Sequence, residues 1–215
     1  MKKVLLIVAL AAMVASPAFA NISGSKHDFS ASGWTPNGRI CVACHTPHGG
    51  ATNQDAPLWN HTITTTAYDQ YTSATIDLYT PATGFTPTGI SALCLSCHDG
   101  AVALNAFTGA SGASVFMTSA AAIGSAANGG MLNDHPVSFT YPANANTVDA
   151  GLYPNTAASG LGGTISADLL FGASNDQLEC ASCHDVHRTN ETAAYQPMLR
   201  KSNSNSALCL TCHNK

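Results

Sequence analysis

Behind Lys2 and Lys3 the chain is apolar without a break from Val4 to Val14, and Ser16-Pro17-Ala18-Phe19-Ala20 follows. A basic start, a short apolar run and an A-x-A site form the pattern of a secretory signal peptide, so residues 1–20 are expected to be removed after Ala20. The run falls well short of the roughly 20 residues that span a bilayer, and no later segment qualifies. No cysteine follows the cleavage site, so a lipid anchor is not indicated. Beyond this segment periodic signal is sparse. Ser91 before Ala-Leu-Cys-Leu and Gly100 after His98 read as the cap and stop of a short helix, and Ser206 takes the same cap position in a second copy of the string. Ala67 to Tyr79 predicts another short helix, with Tyr68 and Tyr71 on one side as a packing stripe. From Asn105 to Ala173 the chain is rich in Gly, Ala, Ser and turn residues, and no period is sustained.

Composition sharpens this picture. The chain has 215 residues, only 9% of them charged. Removing the signal takes two of eight basic residues and leaves six against twelve acidic ones, a net charge of −6. Nucleic acid is therefore not an expected partner. A long irregular middle would count against an ordinary compact domain, so something other than regular elements must organise the fold.

The cysteines supply it. All eight fall into four motifs, Cys41-Val42-Ala43-Cys44-His45, Cys94-Leu95-Ser96-Cys97-His98, Cys180-Ala181-Ser182-Cys183-His184 and Cys209-Leu210-Thr211-Cys212-His213. Cys-x-x-Cys-His is the attachment signature of c-type haem: two thiols form thioethers with the vinyl groups and the adjacent histidine becomes the proximal ligand. One short helical turn brings these three groups to the macrocycle together. Disulfides, zinc or a thioredoxin-like centre would account for paired cysteines, but none requires a histidine after every pair. Four covalent haem c groups are expected, attached through Cys41, Cys44, Cys94, Cys97, Cys180, Cys183, Cys209 and Cys212. Such flat apolar groups can stand in for a side-chain core. The expected fold class is a multihaem cytochrome c, mostly coil with short helices wrapped around four haems and little sheet.

Nine histidines minus the four proximal ones, His45, His98, His184 and His213, leave His27, His48, His61, His135 and His187. An internal repeat ranks them. C-V-A-C-H-T-P-H at 41–48 and C-A-S-C-H-D-V-H at 180–187 each carry a second histidine three places on. Each is followed by SALCLxCH and preceded by an isolated histidine. The unit H…CxxCHxxH…SALCLxCH thus occurs twice, giving approximate di-haem units 21–105 and 130–215 within one tetrahaem domain, 21–215, joined by the Gly/Ala/Ser-rich connector. By this correspondence His27, His48, His135 and His187 are the distal ligands and His61 is the spare. His48 and His187 must serve a different haem from that of their own motif, because the ring bound beside them blocks the way to its far face. Asp28 and Asp134 adjoin His27 and His135; either they orient the imidazole or, as the better reading, they cap turn amides.

The paired motifs together with His27-Asp28-Phe29-Ser30, CHTPHG, APLWNH, NDHP and SALCLTCHNK resemble the paired-CxxCH multihaem c-type cytochromes of metal-reducing bacteria, in particular tetrahaem filament cytochromes of the outer surface. The resemblance covers nearly all of the chain after residue 20. It implies bis-histidine haems stacked in a continuous chain, with the proximal and distal sets given above. It also implies extracellular filaments, homopolymers in which one histidine completes a haem of the adjacent subunit; His27, near the mature N-terminus, is the candidate. The expected function is electron transfer without substrate chemistry, not an enzyme. Periplasmic or outer-membrane cytochromes would be the donors and an extracellular acceptor would receive the electrons. An extracellular or cell-surface location is expected, with a soluble periplasmic shuttle as the alternative. A multihaem reductase is the competing class, but it needs an iron with an open position, and the histidines suffice to close all four.

Overall fold

Short helical turns carry all four Cys-x-x-Cys-His motifs. The computed structural model describes residues 22–51, 55–110, 112–118, 120–187 and 198–215, so the signal segment expected at 1–20 lies outside the described residues. The helices are α1 (Gly89–His98), α2 (Ala145–Val148), α3 (Ile165–Leu169), α4 (Cys180–Cys183) and α5 (Cys209–Cys212), with several 3₁₀ turns, among them Ile40–Ala43. The described sheet is one antiparallel pair, β1 (Phe139–Thr140) and β2 (Gln177–Leu178), with Phe139 opposite Leu178. The rest is coil and turn, as the sparse periodicity predicts. Among the described residues no helix is long and apolar enough to cross a membrane.

Several local expectations are corrected. Helix α1 begins at Gly89 after Thr88, so Ser91 is not its cap but a buried residue of its first turn. The stop is where the sequence puts it. Asp99 ends the helix by accepting the Ala101 and Val102 amides at 2.8 and 3.0 Å, and Gly100 takes φ +70, open to glycine without strain. Ser206 is exposed with φ +61 and does not cap; Asn203 Oδ1 instead accepts the Leu208 amide at 3.2 Å.

The helix expected over Ala67–Tyr79 is absent. Tyr68 exchanges both backbone hydrogen bonds with Phe85 at 2.7 Å, and the Gln70 amide reaches Ala82 O at 3.1 Å. The β-branched run Thr62 to Thr66 favours this extended path. In extended chain residues three apart face opposite ways, and accordingly Tyr68 is buried while Tyr71 is exposed.

A side-chain core exists where the sequence suggested only wrapping. Tyr68 and Leu95 from the first half pack with Met131, Tyr141, Ile165 and Leu178 from the second, in one buried cluster. Each large apolar side chain buried there contributes about 1.5–3 kcal/mol. Tyr141, only 1% exposed, also anchors the coil by donating its hydroxyl to Tyr153 O at 2.5 Å. Much of this core comes from the stretch that lacks a period, because isolated apolar residues on turns can converge without forming a stripe.

Candidate haem sites

Immediately after the second cysteine, three of the motifs turn from helix to extended chain. His184 and His213 have φ/ψ of −110/149 and −93/129. His45, His184 and His213 form isolated bridges with Trp59, Leu199 and Leu152. The same two backbone hydrogen bonds flank each bridge. Thr46 N–H donates to Leu58 O and Asn60 N–H to Cys44 O, both at 2.9 Å. Asp185 donates to Met198 O and Arg200 to Cys183 O, both at 2.8 Å, and Asn214 donates to Gly151 O at 2.7 Å and Tyr153 to Cys212 O at 2.8 Å. The backbone on both sides of each histidine is thus pinned before any cofactor is considered. His98 differs by staying within α1; its carbonyl accepts from Gly124 N–H at 3.0 Å.

The first and third motifs match further. Leu58 and Met198 both take positive φ, +58 and +55, which is uncommon for such side chains. The Asn60 side chain donates to Val42 O at 2.6 Å, and Arg200 Nε donates to Ala181 O, the corresponding carbonyl. The strings at 58–60 and 198–200 are therefore counterparts that sequence reasoning missed. The available signal was a proline followed by an apolar residue, 12 places past His45 and 13 past His184.

The imidazoles are oriented by their Nδ1 atoms. His45 donates from Nδ1 to Pro57 O at 3.0 Å, His98 to Ala121 O at 2.7 Å, His135 to Pro136 O at 2.9 Å, and His27 to the Met198 sulfur at 3.0 Å. A proton held on Nδ1 leaves the Nε2 lone pair free to bind a metal. Burial pushes the His27 imidazole down to about 4, and the nearby histidines His98, His184 and His187 add to the effect. Burial also lowers His213, with His135 and Lys215 contributing.

Three pairs of histidine rings lie close to each other. His45 and His187 have centroids 6.1 Å apart and planes 25° apart, His27 and His98 are 6.0 Å and 48° apart, and His135 and His213 are 6.3 Å and 76° apart. His48 is exposed, and its carbonyl accepts from Thr46 Oγ1 at 2.9 Å. His184 is exposed, and the ring of His27 is paired with that of His98 in the same chain. His61, 4% exposed, has Nδ1 2.9 Å from Thr62 O and Nε2 3.3 Å from Leu104 O, so carbonyls engage both of its nitrogens. Asp28 serves as a turn cap: its carboxylate accepts the Gly24 and Ser30 amides at 2.8 and 3.0 Å.

The cysteine sulfurs connect the motifs in sequence order. Cys44 acts electrostatically on Cys97, Cys180 on Cys94, and Cys183 on Cys212. Burial pushes the thiols of Cys44, Cys183 and Cys212 up to about 11 and that of Cys97 up to about 12. For these four thiols that is the reverse of the activated thiol of a thioredoxin-like pair, whereas Cys180, beside Cys94, is lowered. All eight cysteines are free, and among the described residues no three His, Cys, Asp or Glu side chains gather as a bare zinc ion requires.

The family described as "Doubled CXXCH motif" matches residues 173–215, the stretch holding the third and fourth motifs. This supports a multihaem c-type cytochrome. No curated protein matches the chain. A doubled CXXCH segment implies covalently bound haem c and haem-based electron transfer.

The residues fit such a group. With an imidazole–metal bond of about 2 Å and about 1 Å more from nitrogen to ring centre, two histidines on opposite faces of one metal stand roughly 6 Å apart. The three ring pairs have that spacing. Trp59, whose ring centroid lies 6.4 Å from that of His45, has a buried Nε1 with no protein partner, which suits a bound group with polar edges.

Proposed function

We propose that this chain carries four c-type haems, each with two axial histidines, and conducts electrons along them as a subunit of an extracellular filament. The spacing of the three imidazole pairs carries the reading. When bound, haem supplies the one-electron chemistry, at a potential the protein tunes through ligands, hydrogen bonds and burial. The chain's own residues do the rest. His45 and His187 close the first site, His98 and His27 the second, and His213 and His135 the fourth. His184 is the proximal ligand of the third site and His48 the remaining distal candidate. Because His48 is exposed and outside the three pairs, it replaces His27 as the candidate for crossing between subunits. Carbonyls on Nδ1 hold the rings in the binding tautomer, and the bridge frames fix their direction. Export, donors in the periplasm or outer membrane, and an extracellular acceptor complete the proposal.

Intact mass of the secreted protein should show four haems per chain and an N-terminus at Asn21, and ferric electron paramagnetic resonance should show only low-spin iron. Fewer haems, or a large high-spin signal, would overturn the ligand scheme and favour a reductase. Negative staining of material sheared from the cell surface tests the polymer; its absence from fibres would leave a soluble shuttle.

A further inference from the structure

The two halves of the chain meet at a buried carboxylate that no haem-binding motif requires. Glu179, 2% exposed, directly precedes the third motif, and its Oε2 accepts three hydrogen bonds. They come from the Ser91 amide at 3.1 Å, the Ser91 hydroxyl, and the Ser138 hydroxyl at 3.0 Å. Ser91 Oγ in turn accepts the Cys180 amide at 3.0 Å. The exchange is reciprocal: the residue before one motif caps the helix carrying another, and that helix returns a hydroxyl to cap the first turn of its partner. A single hydroxyl can do both because it donates once and still accepts. Helix α1 starts with glycine for this reason. A Cβ on Gly89, already at φ +53, would lie 2.6 Å from Glu179 Oε1. Beside the lock, Cys94 and Cys180 are close enough to act on each other electrostatically. Burial pushes the Glu179 carboxyl up and Asp55 adds to this, while the hydrogen bonds from Ser91 and Ser138 oppose both by stabilising the charged form. Ser206, the counterpart of Ser91 in the second SALCL copy, is exposed, so the lock belongs to this junction.

We propose that Glu179 is a positioning residue between the second and third haem sites: with Ser91 it holds the two helical turns in one register and places a buried negative charge beside both attachment points. The proposal rests on the haem reading above. A buried negative charge favours the oxidised state of nearby centres, so it holds down the potentials of those two sites relative to the other two.

The test uses holoprotein with Glu179→Gln, Glu179→Ala and Ser91→Ala. Amide hydrogen exchange at Ser91 and Cys180 reads the lock, and spectroelectrochemical titration with haem-resolved nuclear magnetic resonance reads the potentials. Ser91→Ala should speed exchange at Cys180 and Glu179→Ala at Ser91, each about tenfold. Glu179→Gln should keep much of the protection yet raise the potentials of the haems at Cys94/Cys97 and Cys180/Cys183 alone. Unchanged exchange in Ser91→Ala, unchanged potentials in Glu179→Gln, or an equal shift at all four sites overturns the proposal. Should Glu179→Ala not fold, Glu179→Gln and Ser91→Ala still decide it. A wild-type chain with fewer than four haems would sink the haem reading, whereas the exchange arm stands independently of it.

Discussion

Replacing His187 by alanine should open the iron of the first motif, although His187 belongs to the third. The ring of His187 stands 6.1 Å from that of His45, at 25° to it, the spacing of two ligands on one metal. The axial bond would close a loop of about 140 residues between them. In the chain-entropy treatment of a cross-link, such a closure is worth about 5 kcal/mol, an upper figure because the other ligand pairs already shorten the path. At roughly 2–4 °C per kcal/mol for a chain of this size, the midpoint of thermal unfolding should fall by about 10–20 °C at most. The spectroscopic effect is more specific. One iron in four should become high-spin, and reduced protein should bind one equivalent of carbon monoxide where wild type binds none. Nuclear magnetic resonance should place the perturbed haem methyls beside Cys41 and Cys44. His48→Ala provides the contrast and should leave that haem low-spin. If His187→Ala binds no carbon monoxide, or if the perturbed haem is the one at Cys180 and Cys183, the pairing is wrong.

Other outcomes follow from the same geometry. His61→Ala should cost about 1–3 kcal/mol through its lost carbonyl contacts while leaving the electron paramagnetic resonance spectrum low-spin; a new high-spin signal would make His61 a ligand. Gly50→Ala should destabilise by about 1–3 kcal/mol in thermal melts, because its Cβ would sit 2.6 Å from the Leu58 carbonyl carbon, which the positive-φ strap cannot yield. An unchanged midpoint would show that the strap is not rigid. Tyr141→Phe should cost about 1–3 kcal/mol by stranding the Tyr153 carbonyl, and a smaller loss on calorimetry would mean water reaches that group.

Much of the site was legible because its chemistry is local. A cysteine pair and the next histidine lie within one helical turn, so the motif states its own geometry, and all four motifs indeed begin on such turns. The repeat ranked His61 apart from the other histidines, a reading that the His61→Ala spectrum tests. The helix expected at Ala67–Tyr79 misled because a two-tyrosine stripe is weak evidence beside a backbone pairing with Phe85, which lies too far along the chain to enter a local pattern. Ser91 misled for a related reason: a serine before an apolar run suits a cap, but its actual partner is Glu179, 88 residues away.

By itself, the sequence determined that regular structure would be scarce and that residues 173–215 carry a doubled haem-attachment motif. Tertiary structure decided which histidine faces which, since partners such as His45 and His187 come together only when the whole chain folds. It also decided where the core lies and how the halves join. Short-range sterics and bonding leave a mark in the sequence pattern; contacts between distant segments depend on where the backbone carries each side chain, and eight-residue strings as alike as 91–98 and 206–213 can therefore end in different surroundings.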